Sequence, residues 1–167
     1  EFNKNSKTKG LDMSLSSFFV DESGSVPAYE RLYRKFEAKM IKRQRQAAHK
    51  KKGSKNRLKA QLRVNKIHEK ISNKRSDFTH KLSTSLVREN DVIVVESLSL
   101  KGMSQCLNLG KSVMDLGYSE FVRQLQYKCF EGGKLLVRAD RWFASSKTCS
   151  MCGFIKKDLE LSDRKWT

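Results

Sequence analysis

Two groups of residues in this sequence have types and spacings that could do chemistry. The first is Cys149-Ser150-Met151-Cys152-Gly153. A C-x-x-C pair followed by Gly can offer two thiolates to a tetrahedral Zn²⁺, which needs two more ligands from elsewhere. The same spacing can instead form a redox dithiol, where the pair opens a helix whose N-terminus lowers a thiol pKa. Gly153 and the flanking Lys147, Lys156 and Lys157 favour half a zinc site. The second group is a pair of carboxylates. Glu96 closes the run Val92-Ile93-Val94-Val95, and Asp12 lies in Gly10-Leu11-Asp12-Met13. Acids beside apolar strands often serve structure alone, yet ligands collect at the carboxyl ends of strands in open α/β sheets. Two such acids side by side suit hard divalent cations, Mg²⁺ or Mn²⁺. Paired ions about 3.5–4 Å apart activate water and stabilise both oxygens of a displacement at phosphorus. Two acids seldom suffice, so a third is expected elsewhere.

The charge distribution points to a polyanion. The net charge is +17, and residues 34–75 hold 17 Lys and Arg against Glu37 and Glu69, which leaves +15 there. Such a block attracts phosphate backbones and releases their counterions. A solvated basic face or an anionic membrane surface are the alternatives, but the apolar stripe beneath the block is narrow and free of Trp. The candidate phosphate contacts are Lys42, Arg43 and Arg45, then Lys50, Lys51 and Lys52, then Lys55, Arg57, Lys59 and Arg63. Arg141-Trp142-Phe143 joins a cation to two aromatics, which could stack on bases or pack the cysteine turn against the domain. Neither a membrane nor a small-molecule substrate is expected. No apolar run approaches the roughly 18 to 20 residues that span a bilayer, and no signal-peptide pattern opens the chain. Cys106 and Cys129 read as reduced thiols of a cytosolic protein.

The elements that must position these residues follow from periodicity. Residues 14–20 read as a strand ending in the turn Asp21-Glu22-Ser23-Gly24, with a return through Ser25-Val26-Pro27; Gly10-Leu11-Asp12-Met13 ends a strand before it. A helix is expected from Tyr29 to Ala48, with Leu32, Phe36 and Met40 at four-residue spacing. Lys50 to Ser54 breaks it, and a second helix runs from Lys55 to Arg88 on a stripe of Val64, Ile67, Ile71, Phe78, Leu82 and Leu86. Val92–Glu96 reads as a strand buried on both faces. A helix over 119–131 and a strand over Leu135–Arg138 complete a mixed α/β sheet continued by right-handed crossovers.

With these residues in view, the sequence resembles the OrfB/TnpB proteins of insertion sequences. Val94-Val95-Glu96-Ser97-Leu98-Ser99-Leu100-Lys101-Gly102-Met103 is similar to that family's second catalytic motif. Asp140-Arg141-Trp142-Phe143-Ala144-Ser145-Ser146-Lys147-Thr148-Cys149 and the rest of the cysteine turn look like the opening of its zinc ribbon. Gln124-Leu125-Gln126-Tyr127-Lys128, Gly53-Ser54-Lys55-Asn56-Arg57 and His80-Lys81-Leu82-Ser83 match as well.

The resemblance implies a RuvC-like domain of the ribonuclease H fold over 1–28 and 91–140. A basic helical insertion over 29–90 and half a zinc ribbon over 141–167 accompany it. It implies an RNA-guided DNA endonuclease, bacterial or archaeal, cytoplasmic and nucleoid-associated, with DNA and guide RNA as partners. Asp12 would be the first-motif acid and Glu96 the second, holding Mg²⁺ or Mn²⁺, with Cys149 and Cys152 on Zn²⁺. The third acid, the second cysteine pair and an amino-terminal nucleic-acid-binding region are expected outside a chain that opens on Glu1-Phe2 and stops at Trp166-Thr167. The expectation is therefore a piece of a longer nuclease, able to bind but cutting poorly or not at all. A non-catalytic nucleic-acid-binding module, a remnant transposase or a basic structural protein that packs against RNA are the other readings.

Overall fold

A computed structural model describes residues 6–99, 102–103, 105, 110–140, 147–149, 152–156 and 158. Strands β1 (Thr8–Ser14), β2 (Phe18–Asp21), β3 (Val92–Glu96) and β4 (Leu135–Ala139) form one sheet in the order β2-β1-β3-β4. Only β2 runs antiparallel to its neighbour; β1, β3 and β4 are mutually parallel. Helices α1 (Leu32–Ala48) and α2 (Lys55–Glu89) lie between β2 and β3, and α3 (Gly110–Leu116) and α4 (Tyr118–Glu131) between β3 and β4.

The polar lead-in to β1 becomes a central strand because its charges are answered across the sheet. Lys9 Nζ lies 2.7 Å from Asp21 and 3.2 Å from Glu22, and the Lys7 backbone is held by Asp91 and Val92. The expected strand over 14–20 is divided. Ser14 Oγ accepts from the N–H groups of Ser16 and Ser17, which makes the serine-rich segment a turn. Phe18 passes through it at φ 78, and Ser14 pairs with Phe18. The partner of β2 is therefore β1 upstream, and 25–27 forms no strand. There, Asp21 Oδ1 accepts from Ser23 and Ser25 and closes a turn.

β3 begins and ends where the sequence places it, but its burial alternates: Ile93 and Val95 are buried and their neighbours half-buried. The main core lies between the sheet, the end of α2 and α4, around Phe18, Phe121, Leu125 and Val95. Complete burial of a side chain such as Phe121 contributes about 2–3 kcal/mol. A second cluster, Leu32, Met40, Ile67 and Ile71, zips α1 to α2. Near the turn between these helices Ala47, Ala60 and Val64 keep the pair close. Ser54 caps α2 by accepting from Arg57 N–H. No helix among the described residues is long and apolar enough to cross a membrane.

Candidate active site

Parallel register assembles the carboxylates. β1 and β3 pair as Gly10↔Val94 and Leu11↔Val95, so the next step along both strands sets Asp12 beside Glu96. Both then stand where the parallel pairing of β1 and β3 ends, Glu96 closing β3 and Asp12 two residues before the end of β1, on the carboxyl side of the sheet where this class of sheet binds ligands. Asp12 is exposed and Glu96 half-buried. Burial first, then the Asp12 charge and a hydrogen bond with Asp12, raise the Glu96 pKa above its ordinary value. A divalent cation between two neighbouring carboxylates offsets their mutual repulsion. The donor set of hard oxygens fits Mg²⁺ or Mn²⁺.

The pair opens into a cleft of about 720 Å³ lined by the ends of β1, β2, β3 and β4. Three further acids line it. Asp21 and Glu22 are engaged by Lys9, and Glu22 also accepts from Gly10 N–H at 3.1 Å. Asp140 follows β4 directly, and Ala139 pairs with Glu96. In the sequence Asp140 stands out only as part of a motif. The signal that could single it out is the one that marks Glu96, an acid directly after an apolar strand. Among the described residues, no group of three or more His, Cys, Asp or Glu converges closely enough to hold a metal ion.

The basic residues cluster as the sequence suggests. Lys42, Arg45, Lys50, Lys51, Lys52, Lys55, Lys59 and Arg63 are exposed along α1, α2 and the turn joining them, and Arg43 and Arg57 are half-buried. Arg43 donates to Gln46 Oε1 at 2.9 Å, and Arg57 to the Lys50 carbonyl at 3.3 Å. Arg141 and Trp142, with Phe143 and Cys106, lie outside the described residues.

Cys149 and Cys152 sit on a tight hairpin turn. Thr148 bridges Ile155 antiparallel, Cys149 N–H donates to the Phe154 carbonyl and Gly153 N–H to the Cys149 carbonyl. Gly153 adopts φ 74, a backbone that side chains other than Gly rarely tolerate. This is a turn, whereas the redox alternative requires a pair opening a helix. Cys149 is half-buried and Cys152 exposed, and among the described residues neither forms a disulfide.

The Gln124–Lys128 motif has a structural account. Gln124 is fully buried, accepts from Ser83 Oγ at 3.4 Å and donates to Glu120 at 3.1 Å. Lys128 Nζ donates to the His80 carbonyl at 2.8 Å and to Ser83 Oγ and Thr84 Oγ1 at 2.7 Å each. Both fasten α4, which precedes β4, to α2, which precedes β3.

Comparison with known proteins extends the reading. Residues 2–107 match the OrfB_IS605 family, described as "Probable transposase", and residues 118–167 match the "Cas12f1-like, TNB domain" family. A Streptomyces pristinaespiralis protein named "Putative RNA-guided DNA endonuclease" is 39% identical over 158 residues, covering 95% of this chain and 39% of its own length. "Putative RNA-guided DNA endonuclease InsQ" of Escherichia coli (strain K12) is 29% identical over 173 residues, covering 94% of this chain and 42% of its own length. "TnpB-like protein L79" of Acanthamoeba polyphaga mimivirus is 28% identical over 109 residues, covering 62% of this chain and 21% of its own length. The chain thus spans about two fifths of the first two curated relatives.

Proposed function

This chain belongs to the OrfB_IS605 family, and from that premise we propose that it forms part of the nuclease centre of an RNA-guided DNA endonuclease. The observation that carries the reading is the register that sets Asp12 beside Glu96 at one mouth of the sheet. In this reading the domain is RuvC-like, of the ribonuclease H type, over 1–28 and 91–140. The mixed sheet with β2 as its antiparallel strand supports that assignment. Asp12 and Glu96 hold Mg²⁺ or Mn²⁺, which when bound supplies Lewis-acid chemistry and a nucleophile from water at a phosphodiester. The chain's own part is to aim the two carboxylates, keep Lys9 on Asp21 and Glu22 and so away from the pair, and wall the cleft.

The helical insertion over 29–90 holds DNA and guide RNA through its phosphates. The turn bearing Cys149 and Cys152 contributes half of a Zn²⁺ site within a ribbon over 141–167. The setting is the cytoplasm of a bacterial or archaeal cell, on its nucleoid.

A second reading, a nucleic-acid-binding module without catalysis, draws support from the lack of a three-acid cluster among the described residues. One experiment decides between them. The intact protein is supplied with guide RNA, matched DNA and Mg²⁺, and compared with Glu96→Ala. Wild-type cleavage that is lost in E96A while DNA binding persists supports the nuclease. Wild-type protein that binds and never cuts overturns it in favour of the module.

A further inference from the structure

We propose that Tyr118 is a positioning residue for Glu96, its hydroxyl donating to the Glu96 carboxylate when that carboxylate turns to hold a divalent cation. The inference rests on the reading of Asp12 and Glu96 as cation ligands. Tyr118 opens α4 and is 2% exposed. Its hydroxyl oxygen is closed off from solvent and has no hydrogen-bond partner among the described residues. Buried polar groups are nearly always paired, so an orphan calls for an explanation. Packing does not supply one. The ring lies 6.0 Å from Phe18 and 6.0 Å from Phe121, contacts a phenylalanine would make equally well without a stranded hydroxyl.

The surroundings of the hydroxyl do supply one. Tyr118 and Glu96 line the same cavity of about 540 Å³ on the α4 side of β3. A tyrosine phenol is a hydrogen-bond donor at neutral pH, so the hydroxyl has a proton to give. A cation between the two carboxylates engages one Glu96 oxygen and leaves the other to be held from behind. Ligating carboxylates are regularly held this way, and losing the outer partner weakens metal affinity about 10–100-fold. The ring is also well fixed for the task. Phe18, which packs on it, is fully buried at φ 78, a backbone that persists for a bulky residue only when its surroundings over-determine it.

The test is Mn²⁺ affinity, measured calorimetrically on the intact protein without nucleic acid, for wild type, Asp12→Asn and Tyr118→Phe. The expected result is a Kd raised about 10-fold in Y118F, with a melting temperature in EDTA equal to or above that of wild type. D12N-sensitive wild-type binding with an unchanged Y118F affinity overturns this proposal alone. Wild-type binding indifferent to D12N overturns the reading of the cleft and this proposal together. A second measurement needs no variant to fold. Ultraviolet resonance Raman spectra of wild type report the hydrogen-bond state of its four tyrosines. Adding Mg²⁺ must convert one hydroxyl to a donor, and an unchanged spectrum overturns the proposal.

Discussion

The carboxylate of Asp115, on α3, accepts the backbone N–H of Tyr33 at 2.8 Å and so caps α1 from across the molecule. Arg31, at the start of α1, gives that helix no side-chain cap. Asp115 is 3% exposed and faces Arg75 of α2 at 3.5 Å, while Tyr29 Oη donates to its backbone carbonyl. One residue therefore ties together α1, α2 and the segment before α1.

Replacing Asp115 by Ala removes the cap and leaves the Arg75 guanidinium without its partner, and the expected destabilisation is about 3 kcal/mol. Asp115→Asn keeps an oxygen for Tyr33 and should lose less. Urea denaturation with an unchanged slope is the measurement, and equal stability of D115A and wild type would refute it.

Lys128 is the corresponding fastener between α4 and α2, with three donated hydrogen bonds. Burial holds its pKa below the usual lysine value. Lys128→Met preserves the stem and removes the donors, and the expected loss is about 2 kcal/mol. Hydrogen exchange should show faster opening of α4 than of α1.

Glu120 supplies the acid-side pH dependence. Arg123 holds it at 2.6 and 2.8 Å, and that pair, helped by Gln124, brings its pKa down to about 2. A depressed carboxylate stabilises the fold above its unfolded pKa, and the contribution fades as pH falls from about 4.5 toward 2. Glu120→Gln should melt below wild type at pH 7 and converge with it near pH 2. The gap should narrow in high salt, because the pair is exposed.

Glu96 behaves in the opposite sense. Its raised pKa means the folded state favours the protonated form, so wild type gives up stability as pH rises through that value. Glu96→Gln never ionises. In EDTA it should melt above wild type at pH 7, with the difference closing as pH drops below the ordinary carboxylate value of 4.5. Thermal melts across that range check it. A variant melting lower at pH 7 would contradict the electrostatics of the site.

The exposed turn Lys50-Lys51-Lys52 tests the nucleic-acid face. Changing all three to Gln should weaken DNA binding at low salt. It should also flatten the plot of log affinity against log salt by about 0.9 for each phosphate that the variant no longer neutralises. An unchanged slope would place the backbone elsewhere on the molecule.

Local pattern alone determined a good part of this protein. The β-branched run fixed β3 to the residue, and four-residue apolar spacing marked α1 and α2 within a few residues at each end. The motifs that place the chain in its family, and the concentration of charge on α1 and α2, were equally open to reading, because each resides in one continuous segment. The rest depended on strand pairing between distant segments. Whether β1 exists beneath its polar lead-in was decided by Asp21, Glu22 and Asp91 reaching Lys7 and Lys9 from other elements. That β2 folds back on β1 followed from serine hydroxyls closing the turn before Phe18. The adjacency of Asp12 and Glu96, the place of Asp140 in their cleft and the stranded hydroxyl of Tyr118 follow from register and packing. A one-residue slip of β1 against β3 would turn Asp12 to the other face of the sheet. Propensity acts along the chain, whereas this site is made across it, by a parallel pairing that only the folded core holds in place.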